Sequence, residues 1–187
     1  MAQLTADLFA TLDGFASGVG VGPFFDHPGP ELEGWVRDAL TRPHLTVMGR
    51  ITYEAMANIS ASATDEISTR MNAQPKVVFS NTLREPLAWS NTRLLRGDLA
   101  TEIRELKRRS SVPLRSIGSI TLVKSMVRLG LVDRLRITIF PLVLGDAGRE
   151  PIFAGYPRTR LELVDSTVLD SRLLVLEYAP AGRAGEA

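Results

Sequence analysis

Short apolar runs of strand length alternate with segments of helical period along most of this chain, and that alternation constrains its fold more than any other feature. Residues 3–10 form an apolar-rich strand that runs into the turn signal Thr11-Leu12-Asp13-Gly14. Residues 17–29, rich in Gly and Pro, predict a mobile loop. Pro30 suits a first helical position, and Leu32, Trp35, Val36, Ala39 and Leu40 follow at helical spacing until Pro43. Residues 44–48 predict a short buried strand and 52–58 a helix. The polar stretch 59–74 predicts loop with one helical turn. Strands follow at 76–80 and 92–95. Asp98 is placed to cap a helix that turns Leu99, Ile103 and Leu106 inward, with Glu105 and Arg109 as an i,i+4 pair. Another strand spans 114–117, and the helix after it carries Leu122, Met126 and Leu129 on one face and ends at Gly130. A central strand, 135–140, stops at Pro141. Runs at 161–166 and 172–178 predict a closing antiparallel pair. The expectation is an α/β fold of one domain, residues 1–179, with residues 180–187 as a disordered tail. Its sheet is mostly parallel with an antiparallel C-terminal edge, helices cover both faces, and a crevice lies at the strands' carboxyl ends.

Composition narrows the chemistry. The 187 residues carry 22 Lys+Arg against 21 Asp+Glu, so no basic surplus points to nucleic acid. The absence of cysteine excludes disulfides, thiolate nucleophiles and cysteine-ligated metal centres. His27 and His44, the two histidines, are too few for a histidine-rich metal centre. No apolar run is long enough to span a bilayer and no signal-peptide pattern opens the chain, so a cytoplasmic enzyme is expected.

Two distant segments share one design. Met48-Gly49-Arg50-Ile51-Thr52-Tyr53 and Ile117-Gly118-Ser119-Ile120-Thr121-Leu122 each place glycine and a hydroxyl residue between an apolar run and a helical pattern. A helix N-terminus leaves N–H groups unpaired and carries partial positive charge, and glycine lets a phosphate approach them. Two such ends on one sheet suit a dinucleotide. Arg50 adds a bidentate cation for a further phosphate, which points to NADPH.

Together with Leu12-Asp13-Gly14, Ser80-Asn81-Thr82, Gly130-Leu131-Val132-Asp133 and Pro141-Leu142-Val143-Leu144-Gly145, these segments resemble the dihydrofolate reductase-like superfamily. They are most similar to the branch holding the reductase domain of the bifunctional riboflavin-biosynthesis deaminase–reductase. The resemblance implies a three-layer fold with NADPH across the sheet. It implies that Arg50 meets the 2′-phosphate and that Gly49 and Thr52 hold the pyrophosphate from one side. Ile117, Gly118, Ser119 and Ile120 would hold it from the other. Ser80, Asn81 and Thr82 would line the adenosine end, and Ala16 would lie near the nicotinamide. A homodimer is implied as well.

On the substrate side the superfamily's helical carboxylate aligns with Leu32, flanked by Glu31 and Glu33. Asp7 stands where the riboflavin branch carries a lysine. The deaminase signature, His-x-Glu with Pro-Cys-x-x-Cys, does not occur. Asp13 and Glu31 are the candidate proton-handling carboxylates, though Asp13 equally suits a turn and Glu31 a helix start. Trp35 is the candidate to stack on substrate, a position that also suits core. The reading is an NADPH-dependent reductase of a small heterocycle, a pterin or a ribosylaminopyrimidine. The alternative is a non-catalytic NADP(H)-binding module of the same fold.

Overall fold

Strand β1 (Leu4–Thr11) lies inside an eight-stranded sheet, flanked by two strands from more than a hundred residues downstream. The computed structural model describes residues 1–181. After β1 come β2 (Phe15–Gly18), α1 (Pro30–Thr41), β3 (Leu45–Gly49), α2 (Arg50–Ser60), α3 (Glu66–Ala73), β4 (Lys76–Phe79) and β5 (Thr92–Leu95). Then follow α4 (Leu99–Arg109), β6 (Leu114–Ile117), α5 (Ile120–Arg128), β7 (Arg134–Phe140), β8 (Gly148–Pro151), β9 (Leu161–Leu169) and β10 (Leu173–Pro180). The main sheet has the order β5-β4-β3-β6-β1-β7-β10-β9. Every pairing from β5 to β7 is parallel, and β10 pairs antiparallel with both β7 and β9. This is the parallel sheet with an antiparallel edge that the alternation of elements predicts.

The pleat of β1 divides the core. Leu4, Ala6, Leu8 and Ala10 are buried with Ala100, Ile103 and Leu106 of α4 and Val123 and Met126 of α5. Burying Leu4 and Leu8 contributes roughly 2 kcal/mol each. Phe9 turns to the other face, against Leu32 and Trp35 of α1 with Phe140 and Leu173. Met48 and Val78 pack there on Tyr53, Ala57 and Trp89. Helices thus cover both faces. Local chemistry sets their ends: the Asp98 carboxylate accepts from the Thr101 N–H at 2.9 Å, and Leu131 and Gly130 donate to the Met126 and Val127 carbonyls to close α5.

Four expectations need correction. Residues 59–74 are mostly helical: α2 runs to Ser60, and α3 is a full helix capped by Asp65, which accepts from Ser68 N–H at 2.9 Å. Its only buried residue is Ser68, so no apolar period marked it. The stretch 17–29 begins in a strand, because β2 pairs with β8 as a separate two-stranded sheet. Leu129 is exposed, since α5 ends at Arg128 and Val123 takes the inward position. The chain at 179–181 is paired, with β10 reaching Pro180 and Ala181 N–H donating to the Arg160 carbonyl at 2.8 Å. The remainder of the expected tail, residues 182–187, lies outside the described residues.

Candidate active site

Strands β3 and β6 are parallel neighbours in the register Val47↔Ser116, so their carboxyl ends bring the two glycine–hydroxyl segments side by side. The segments interlock. Ser119 N–H donates to Thr52 Oγ1 at 3.0 Å, and Gly49 N–H donates to Ser119 Oγ at 3.0 Å. Neither Gly49 nor Ser119 caps its own helix with a side chain, so the first-turn N–H groups of α2 and α5 face the cleft without that partner. Gly118 and Ser119 take φ of +56° and +57° in succession. A left-handed serine is strained by of order 1 kcal/mol, a cost typical of positions that a site over-determines. A Cβ at Gly118 would sit 3.7 Å from Thr52, in contact with the hydroxyl-bearing side chain that lines the gap. Two helix N-termini side by side, each with first-turn N–H groups that no side chain caps, suit a pyrophosphate.

Arg50 is the first residue of α2. Its Nη1 lies 2.9 Å from Glu54 Oε2, with both side chains nearly half exposed. On the far side, β4 pairs parallel with β3 and ends at Phe79, and the hydroxyl of the next residue, Ser80, accepts from the Thr82 and Leu83 N–H groups at 3.1 and 3.0 Å. Asn81 and Thr82 are exposed there. Ala16 sits within β2, which pairs with β8, and the neighbouring Ser17 Oγ donates to Glu150 at 2.8 Å.

Both candidate carboxylates hold backbone. Asp13 accepts from Thr11 Oγ1 at 2.6 Å and from Leu144 and Gly145 N–H at 2.9 and 2.8 Å, which ties the first turn to the loop after β7. The Thr11 hydroxyl, followed by those amides, keeps its pKa below the usual 3.8. An ionised, fully engaged carboxylate is a poor proton donor. Glu31 accepts from the Asp170 N–H, while the Asp170 carboxylate accepts from Glu31 and Leu32 N–H at 3.0 and 3.1 Å. The two residues form a reciprocal cap between the β9–β10 turn and the start of α1. A Cβ at Gly29 would collide with that carboxylate, so any larger residue there would displace the cap.

Trp35 lies over two guanidiniums, with Arg115 Cζ at 5.8 Å and Arg136 Cζ at 5.6 Å from the ring centroid. One face of the ring therefore serves an ion network. Its centre is Asp7, which pairs with Arg115 and, at 3.4 Å, with Arg136; Arg136 in turn holds Glu177 at 2.6 Å. The apolar and helical patterns alone do not bring these residues together. The signal was there: an acid inside an apolar strand, and arginines alternating at 134 and 136 on another. His44 is also buried. Its Nδ1 meets the Arg42 carbonyl at 2.9 Å, and desolvation lowers its pKa. Between α1, α2 and the sheet, a cavity lined by Leu40, Met48, Met56 and Met71 has a volume of about 10 Å³, room for about one water. No helix among the described residues is long and apolar enough to cross a membrane.

Comparison with known proteins agrees with this architecture. The family model for the RibD C-terminal domain matches residues 2–175. The Bacillus subtilis (strain 168) protein YyaP is 25% identical over 182 residues, which is 94% of each chain. The solved structure of Acinetobacter baumannii RibD (form 2) superposes with a TM-score of 0.73 at 18% identity, covering 97% of this chain and 58% of that one. The Thermotoga maritima diaminohydroxyphosphoribosylaminopyrimidine deaminase/5-amino-6-(5-phosphoribosylamino)uracil reductase gives a TM-score of 0.68 at 14% identity, covering 96% and 57%.

Proposed function

The chain belongs to the RibD C-terminal domain family, and from that premise we propose that it is an NADPH-dependent reductase of a small heterocycle, of the pterin or ribosylaminopyrimidine kind. The interlocked carboxyl ends of β3 and β6 carry the reading: two helix N-termini without side-chain caps, joined through Ser119 and Thr52, with Arg50 at the rim. Gly49, Thr52 and the 117–120 turn would hold the pyrophosphate, and Arg50 the 2′-phosphate. Ser80, Asn81 and Thr82 would flank the adenosine, and Ala16 the nicotinamide. NADPH, when bound, supplies the hydride for a C=N or C=O bond. The chain contributes position and electrostatics. With Asp7, Asp13 and Glu31 all engaged, the proton is best drawn from water.

Those same engaged carboxylates favour a second reading, a binding module of the family without turnover. Calorimetric titration of NADPH and NADH into the wild type and Arg50→Ala tests the cofactor. NADPH should bind and weaken roughly ten-fold or more in the variant, approaching NADH; binding of neither nucleotide would remove both readings. A turnover screen of pterins and aminopyrimidines then separates enzyme from module.

We also read the protein as cytoplasmic and as a homodimer. β9 is the sheet's edge and exposes Leu161, Leu163, Val164 and Val168, an apolar edge that a second copy would cover. Sedimentation as a single monomeric species would refute the dimer.

A further inference from the structure

We propose that Glu54 sets which nicotinamide dinucleotide the cleft prefers, a role that rests on reading Arg50 as the 2′-phosphate ligand. Glu54 lies one turn into α2, with Oε2 2.9 Å from Arg50 Nη1. Helix stability accounts poorly for this pair. A cation at the first helical position opposes the helix dipole, and Glu54 is the acid that offsets it. An arginine four residues before a glutamate is also the weaker of the two orders. Arg50 is therefore placed where helix electrostatics disfavours a cation, and the pair gains little from the helix.

The chemistry of the two groups divides the two dinucleotides. A guanidinium fork binds a phosphate bidentately. A carboxylate accepts a hydrogen bond from a ribose 2′-hydroxyl, as acids do in dinucleotide sites, but repels a 2′-phosphate. Glu54 does both jobs against NADPH: it occupies part of the Arg50 fork and adds negative charge beside the incoming phosphate. With side chains 44% and 45% exposed, the pair is open enough for a ligand to part it. One helical turn thus holds the NADPH ligand and its antagonist, and the protein tolerates NADH better than Arg50 alone would allow.

Calorimetric titration of the wild type, Glu54→Gln, Arg50→Ala and the double variant tests this, with NADPH and NADH as ligands and 2′,5′-ADP and 5′-AMP as fragments. Glu54→Gln should tighten NADPH and 2′,5′-ADP by about three- to ten-fold. It should bring no gain for NADH or 5′-AMP, and the gain should vanish in the Arg50→Ala background. Wild type that binds NADPH while Glu54→Gln brings no gain would overturn the role of Glu54 and leave the cofactor site standing. An equal gain for all four ligands would overturn it too, since that marks a general charge effect. If the wild type binds none of them, the Arg50 reading and this inference fall together.

Discussion

Ser119 and Thr52 hold two helices together across the cleft: the Ser119 amide donates to the Thr52 hydroxyl, while the Ser119 hydroxyl takes the Gly49 amide, each at 3.0 Å. Residues 67 positions apart thereby close the junction of β3 with α2 onto that of β6 with α5. The left-handed backbone at Ser119 is held by this exchange.

Thr52→Val tests the clamp. It keeps the shape of the side chain and leaves the Ser119 amide without its acceptor. Unfolding in urea should show a loss of about 1–2 kcal/mol, and NADPH affinity should fall because the 118–119 turn loosens. Unchanged stability and unchanged affinity would show that the bond carries neither.

The reciprocal cap at α1 separates a structural Glu31 from a catalytic one. Glu31→Gln should retain turnover within a few-fold, whereas loss of an acid–base group costs roughly a hundred-fold or more. Asp170→Ala should cost about 1–2 kcal/mol. Gly29→Ala should cost a similar amount by pushing the Asp170 carboxylate off the helix end. The double variant should be less destabilised than the sum of the two, because both act on one contact.

Asp7 anchors the ion network under Trp35. Asp7→Asn leaves Arg115 and Arg136 short of a counter-charge in a largely buried setting, and denaturant unfolding should register a loss of about 3 kcal/mol. An effect below about 1 kcal/mol would mean that Glu177 alone compensates the arginines.

Acid should act on the Asp13 clamp. Its pKa is lowered in the folded protein, so its contribution is fully present above the unfolded value, near 3.8, and is lost as pH falls through the lower folded value. Asp13→Asn should therefore flatten the acid limb of the stability profile below about pH 4. Parallel profiles for variant and wild type would place the acid sensitivity elsewhere. The caps Asp65 and Asp98 are the next candidates, because their pKa values are lowered by the same kind of hydrogen bonding.

The order of elements was legible because period-2 and period-3.6 apolar patterns reflect burial directly, as in β1 and α4. α3 was not, since it buries one serine and owes its existence to a cap and to packing between α1 and α2. The meeting of Gly49 and Thr52 with Gly118 and Ser119 was foreseeable, because both segments follow strands of one parallel sheet and so lie at the same edge of it. The roles of Asp13, Glu31 and Trp35 were not. Each is decided by a partner 80 or more residues away: Leu144 for Asp13, Asp170 for Glu31, Arg115 for Trp35. A one-dimensional pattern carries no record of such partners.

The Asp170 cap has a consequence for synthesis. A ribosome delivers α1 early, yet the carboxylate that satisfies its first N–H groups lies 138 and 139 residues further on. Until the β9–β10 hairpin emerges, the first N–H groups of that helix wait without their acceptor.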